Sequence, residues 1–244
     1  MAKSPASEQL KLLELQSLDG HLKSLEGRLR QIDQDPRVPV LLAALQDATS
    51  LEAEASSAVD ELRGRLATLE AEVSELDTKI ERDTTRLNAG GLSKDLVALQ
   101  KEIETLSQLK SGREDTELEL MEELEAADAT LAERAGGTAE AAAALQSVQD
   151  ELAARRAETE AEQSGVLAER QAFADTVEPG LLALYEKTLI RRGVGAARLF
   201  HGHSEGSGMD LSPGDLAEVR AAAEDDVVYC PDSGVILVRS PEWN

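Results

Sequence analysis

Ser204 with Ser207 and Cys230 with Ser233 repeat one spacing near the C-terminus, two residues lying between the members of each pair. Two thiolates at that spacing chelate one tetrahedral zinc ion, and two such pairs complete its shell. Three of the four positions here hold serine, whose hydroxyl stays protonated near neutral pH and is a poor donor to an ion that prefers thiolate or imidazole. The pattern has the outline of a metal site without its chemistry, so neither zinc nor another cofactor is expected. A rearranged site from His201, His203 and Cys230, with Asp232 as a fourth ligand, is the competing reading. Two such histidines are more often solvated loop residues.

Other residues suggest chemistry only until their surroundings are weighed. His203-Ser204 is a base beside a nucleophile, but a catalytic serine needs its base held by an orienting acid inside a pocket. No such constellation is apparent, and no enzyme activity is expected. Gly193-Val194-Gly195 follows a helix and no strand precedes it, which makes it a flexible joint and not a phosphate cradle. Lys187, Arg191, Arg192 and Arg198 form a local basic cluster that could contact phosphates or an acidic partner surface; a solvated helix face is the plainer reading. Around the serine pairs, Glu205, Asp210, Asp215, Glu218, Glu224, Asp225, Asp226 and Asp232 argue against nucleic acid at that place.

The elements that must carry these residues are mostly helical. Leu15, Leu18, Leu22, Leu25, Leu29 and Ile32 alternate spacings of three and four, a heptad seam. After Pro36 and Pro39 the seam resumes through Ala55, Val59, Leu62, Leu66, Leu69, Val73, Leu76 and Ile80. Asn88, Gly90 and Gly91 then stop the helix, and Ser93 is a fair N-cap for the next. A further seam runs through Leu92, Leu96, Leu99, Ile103 and Leu106. Arms of about 80 residues, roughly 120 Å of helix each, flank the Gly-Gly pair and describe an antiparallel hairpin. Folding at residue 90 sets Pro36 and Pro39 opposite 141–144, near Gly136-Gly137, so one shared bend is expected there. A compact bundle would need wider apolar stripes, and a continuous parallel rod has no use for a turn.

From Asp175 the texture changes. The five aromatics, Phe173, Tyr185, Phe200, Tyr229 and Trp243, all lie at or beyond residue 173, which marks a conventional small core. Ser212-Pro213 opens a short helix, and Val227–Tyr229 with Val235–Val238 form a β-hairpin around Cys-Pro-Asp-Ser-Gly. The net charge of −23 repels nucleic acid and anionic membranes at a distance. No apolar run reaches the roughly 20 residues that span a bilayer, the N-terminus has no secretory h-region, and one cysteine excludes an internal disulfide. A cytoplasmic protein is expected.

Three stretches carry a resemblance. "LNAGGLSKDLVALQKEIETL", "LYEKTLIRRGVGAARL" and "MDLSPGDLAEVRAAAEDDVVYCPDSGVILVR" resemble the turn, connector and ribbon of the bacterial coiled-coil C4-type zinc-ribbon family, described as nucleic-acid-binding. The resemblance implies a long helical hairpin with a terminal ribbon, a role in macromolecular interaction and no enzyme chemistry. It departs from the family at Ser204, Ser207 and Ser233, so the family's zinc does not carry over. The expected fold is mostly α: a coiled-coil hairpin over 1–174, a helical connector over 175–200, and a degenerate zinc-ribbon-like α+β module over 201–244. The expected function is an adaptor or scaffold that binds protein partners, as a monomer or a coiled-coil-mediated dimer. Nucleic-acid binding in transcription or translation, through the basic connector, is the alternative.

Overall fold

The computed structural model describes residues 2–240 and Trp243. Three helices account for most of the chain: α1 (Ala6–Asp33), α2 (Arg37–Asn88) and α3 (Ser93–Ala174). Pro36 sits just before α2 and Pro39 within its first turn, where a missing N–H leaves no helical hydrogen bond unmade. Gly90 takes φ +80 in the link to α3, a conformation that glycine adopts without strain. Ser93 opens α3 instead of capping it; the Leu92 carbonyl accepts from Leu96 N at 3.1 Å. α3 passes through Gly136 and Gly137 as unbroken helix.

The chain packs as two units, 36–150 and 1–35 with 151–244. In the first, α2 runs antiparallel to the earlier part of α3. Arg63–Asp128 at 3.0 Å, Glu72–Arg113 at 3.3 Å and Asp77–Lys110 at 2.5 Å draw closer in sequence toward the turn. Val59, Leu69, Leu76, Leu120 and Leu145 are buried. One heptad beyond Leu76, Asp83 occupies a seam position with its side chain 2% exposed, beside Arg82 Nε at 3.0 Å and Arg86 at 3.6 Å. The Arg82 guanidinium holds that carboxyl below its ordinary range, against the effect of burial.

In the second unit α1 lies against the end of α3, with Leu18, Leu25 and Val166 buried together. Asp33 pairs with Arg156, so the register runs later in α3 than a fold at residue 90 implies. After α4 (Pro179–Arg192), Gly193 at φ +75 closes the helix through its N–H to the Leu189 carbonyl, 2.7 Å. A five-stranded sheet follows, ordered β3-β2-β1-β5-β4. Its strands are β1 (Ala196–Phe200), β2 (His203–Ser204), β3 (Met209–Asp210), β4 (Val228–Tyr229) and β5 (Ile236–Arg239), with α5 (Pro213–Ala221) between β3 and β4. Ser212 caps α5, its hydroxyl accepting from Asp215 N at 3.2 Å.

The sheet is buried on both faces, and the two-residue period of its strands says how. Ala196, Ile236 and Val238 pack with Leu12 and Leu15 of α1, Val177, and Leu181 and Tyr185 of α4. Ala197, Leu199 and Leu237 face the other way, onto Val219, Leu211 and Cys230. Residues 196–200 are therefore the sheet's central strand, paired parallel with β5 from Ala196↔Ile236 to Leu199↔Arg239, and not the end of a helical connector. Ala-Ala-Arg-Leu suits a helix as well as a strand; the pairing decides. Nor is Gly195 a flexible joint. A Cβ there would run into the Tyr185 ring, so the position demands glycine for close approach.

Candidate functional site

The two serine-containing loops have the same backbone. Gly208 N donates to the Ser204 carbonyl at 2.8 Å, and Gly234 N to the Cys230 carbonyl at 2.8 Å. Each loop closes on a glycine at positive φ, +69 and +70. The repeated spacing thus records a repeated turn, Ser-Glu-Gly-Ser-Gly and Cys-Pro-Asp-Ser-Gly. The turns bring their side chains together: fully buried Ser204 donates its hydroxyl to Cys230 Sγ at 3.5 Å, and Cys230 is 1% exposed. Among the described residues no hydrogen bond satisfies the buried Ser207 and Ser233 Oγ atoms by distance and angle.

This donor set does not fit zinc. One thiol and three hydroxyls supply one soft ligand where four are needed. Among the described residues no group of three or more His, Cys, Asp and Glu side chains is placed to hold a metal ion. His203 Nδ1 instead meets Asp210 Oδ1 at 2.9 Å, and His201, at φ +45, packs edge-on against Phe200. Burial pushes the Cys230 thiol up. The hydroxyl dipoles of Ser233 and Ser204 and the backbone N–H groups of Ser233 and Asp232 outweigh it, leaving the thiol below its ordinary value.

The ribbon is held by packing and hydrogen bonds to the rest of the chain. The Arg239 guanidinium donates to the carbonyls of Ala222, Ala223, Glu224 and Asp226 at 2.7–3.2 Å, tying β5 to the end of α5. Val227 N donates to the Ala2 carbonyl at 2.9 Å and Ser4 N to the Asp225 carbonyl at 2.8 Å, so the N-terminal segment runs beside the ribbon. Arg170 forks onto Asp19 at 2.9 and 3.2 Å and reaches Glu186 at 2.5 Å. The Tyr185 hydroxyl donates to Asp19 at 2.7 Å, and Gln16 Oε1 accepts from Gly195 N at 2.7 Å. This network joins α1, α3 and α4 to the start of the sheet. Sequence reasoning missed it because Gln16 and Asp19 flank seam leucines and look like ordinary solvent-facing positions. Tyr229, one of the five aromatics that marked the small core, is 42% exposed.

Lys187, Arg191 and Arg192 converge on a small cavity of about 200 Å³ with Thr188, Tyr229 and Gly234. None of the three forms an ion pair among the described residues. Arg198 is not with them: it lies on β1, its guanidinium 4.4 Å from the Phe200 ring centre and 3.7 Å from Glu205.

A paired-helix hairpin joined to a ribbon with two knuckle loops defines a class, the coiled-coil zinc-ribbon proteins. The chain belongs to the CT398-like coiled coil hairpin domain family, whose model matches residues 15–193, and the C4-type zinc ribbon domain matches residues 203–237. Uncharacterized protein Rv2229c of Mycobacterium tuberculosis strain H37Rv is 30% identical over 239 residues, 97% of each chain. A solved structure from Mycobacterium smegmatis aligns over 97% of this chain and 100% of that one, with TM-score 0.83 and 27% identity. CT398 from Chlamydia trachomatis, 17% identical over 96% of this chain and 98% of its own, shares the fold with TM-score 0.63. The two matched domains describe a structural or nucleic-acid-related protein, and neither description names an enzyme. Among the described residues no helix is long and apolar enough to cross a membrane.

Proposed function

We propose that the protein is a cytoplasmic, non-enzymatic adaptor that holds protein partners on its helical hairpin and on a ribbon that works without metal. The observation that carries this reading is the shared core of the second unit. The ribbon's sheet is packed onto α1 and α4 and pinned by Arg170, Asp19 and Tyr185, so it presents a fixed surface instead of a tethered one. In the other unit Leu109, Leu118 and Met121 of α3 are at least half exposed, which suits the docking of a partner helix. The test is affinity capture from nuclease-treated native cytosol with the full chain as bait at physiological salt. A stoichiometric protein partner is expected; recovery that vanishes on nuclease treatment overturns the reading.

Nucleic-acid binding is the second reading, favoured by the gathering of Lys187, Arg191 and Arg192 around one cavity. Phosphate contacts there would give gel shifts whose salt slope falls by about 1 for each cation removed. The adaptor reading expects no shift even at low salt.

A further inference from the structure

The basic cavity adjoins a second, apolar one of about 450 Å³, and Leu184 and Tyr229 line both. Val219, Val227, Val228 and Pro231 are half of its remaining lining residues. That size lies within the range of pockets that enclose a small ligand or one or two large side chains. Charge is arranged along this groove in one direction. At one end stand Lys187, Arg191 and Arg192, cations without an ion-pair partner among the described residues of a chain of net charge −23; at the other, Asp215 and Glu218 edge the apolar part.

We propose that this groove docks an acidic peptide segment of a partner protein, with one large apolar side chain in the cavity and the following carboxylates on Lys187, Arg191 and Arg192. Each half of the groove limits the ligand. The apolar walls reward burial of aliphatic or aromatic surface at about 25 cal/mol per Å². Val219, Val227, Val228 and Pro231 offer no side-chain donors or acceptors of the kind that read a base edge. The cations select negative charge, and Asp215 with Glu218 repel it, so the acidic end is directed toward α4. A nucleic-acid strand that placed phosphates on the cations would bring further phosphates toward those carboxylates. A peptide can be acidic on one side only.

The proposal rests on the adaptor reading and names the chemistry of one partner. Its test is fluorescence anisotropy of the full chain with labelled short peptides that join a Leu, Phe or Trp to a run of glutamates. Controls are the same peptides with lysines in place of glutamates and a single-stranded oligodeoxythymidine. Binding of at least one acidic peptide is expected. Arg191→Glu should weaken it about ten-fold or more, equivalent to about 1.4 kcal/mol, and Ala222→Phe, which fills the apolar part, should weaken it similarly. Should Ala222→Phe unfold, Tyr229→Ala at an exposed ring replaces it. Failure of every acidic peptide, equal binding of the lysine peptides, indifference to the cavity variants, or displacement of the peptide by the oligonucleotide at lower concentration each overturns the proposal. A partner captured from cytosol whose recovery ignores Arg191→Glu would leave the adaptor reading standing and end this one.

Discussion

Tyr185 shows how much a single side chain can hold. Its ring is fully buried in the core, it blocks any side chain at Gly195, and its hydroxyl ends on Asp19. Burial first, and then the hydrogen bond to the Asp19 carboxylate, hold its phenol well above the ordinary value near 10. In the unfolded chain it titrates near 10, so above about pH 10 the unfolded state binds fewer protons than the native one and stability falls as pH rises. The limiting slope for one such group is about 1.4 kcal/mol per pH unit. Tyr185→Phe should cost about 1–2 kcal/mol at neutral pH through the lost hydrogen bond and flatten the alkaline fall. Denaturant unfolding at pH 7 and near pH 11 reads both effects, and an unchanged slope rejects the assignment. Tyr185 was legible in sequence only as one of five aromatics. Its partners are 166 and 169 residues away, and no local spacing announces them.

At the level of elements, the heptads were the readable part. Alternating spacings of three and four dictate a seam whatever partner closes it, and Gly90 names the turn. Strand β1 was hidden because Ala-Ala-Arg-Leu has no strong preference until β5 lies beside it. The two knuckle loops were visible as a spacing, and the structure supplies its cause, one turn used twice. Equivalent turns predict that Ser204→Cys, Ser207→Cys and Ser233→Cys together rebuild a tetrathiolate site. The triple variant should purify with one zinc by elemental analysis and lose several degrees of Tm on chelation, at about 2–4 °C per kcal/mol for a chain of this size. Wild-type Tm should ignore the chelator. A triple variant that takes up no zinc would show that the loops no longer hold the four positions at metal distance. In α2, Asp83 stands where the seam asks for an apolar residue. Polar groups at such positions commonly fix register at a cost in stability, so Asp83→Leu should raise Tm in a circular-dichroism melt; a lowered Tm would assign the carboxylate a stabilising role through Arg82 and Arg86.

For the whole molecule, charge and chain order matter more than any one contact. The hairpin's cross-helix ion pairs are largely exposed on both partners, and such pairs contribute little. The excess of 48 acidic over 25 basic residues repels itself throughout. Adding salt from low to physiological strength should therefore raise Tm, since screening relieves the repulsion more than it weakens the pairs; a Tm that falls with salt would reverse that ranking. The texture change at residue 175 suggested a hairpin domain followed by a separate module. Packing divides the chain differently, because Leu12 and Leu15 are completed by Ile236 and Val238 at the far end of the sequence.

That last contact sets a timetable for synthesis. Leu12 and Leu15 of α1 leave the ribosome roughly 220 residues before Ile236 and Val238 of β5, so this part of the helix waits for its final cover. At the usual speed of synthesis that wait is on the order of tens of seconds. For that interval the two leucines are open to other unfolded chains, and a ribosome that stalls before β5 leaves them without the sheet.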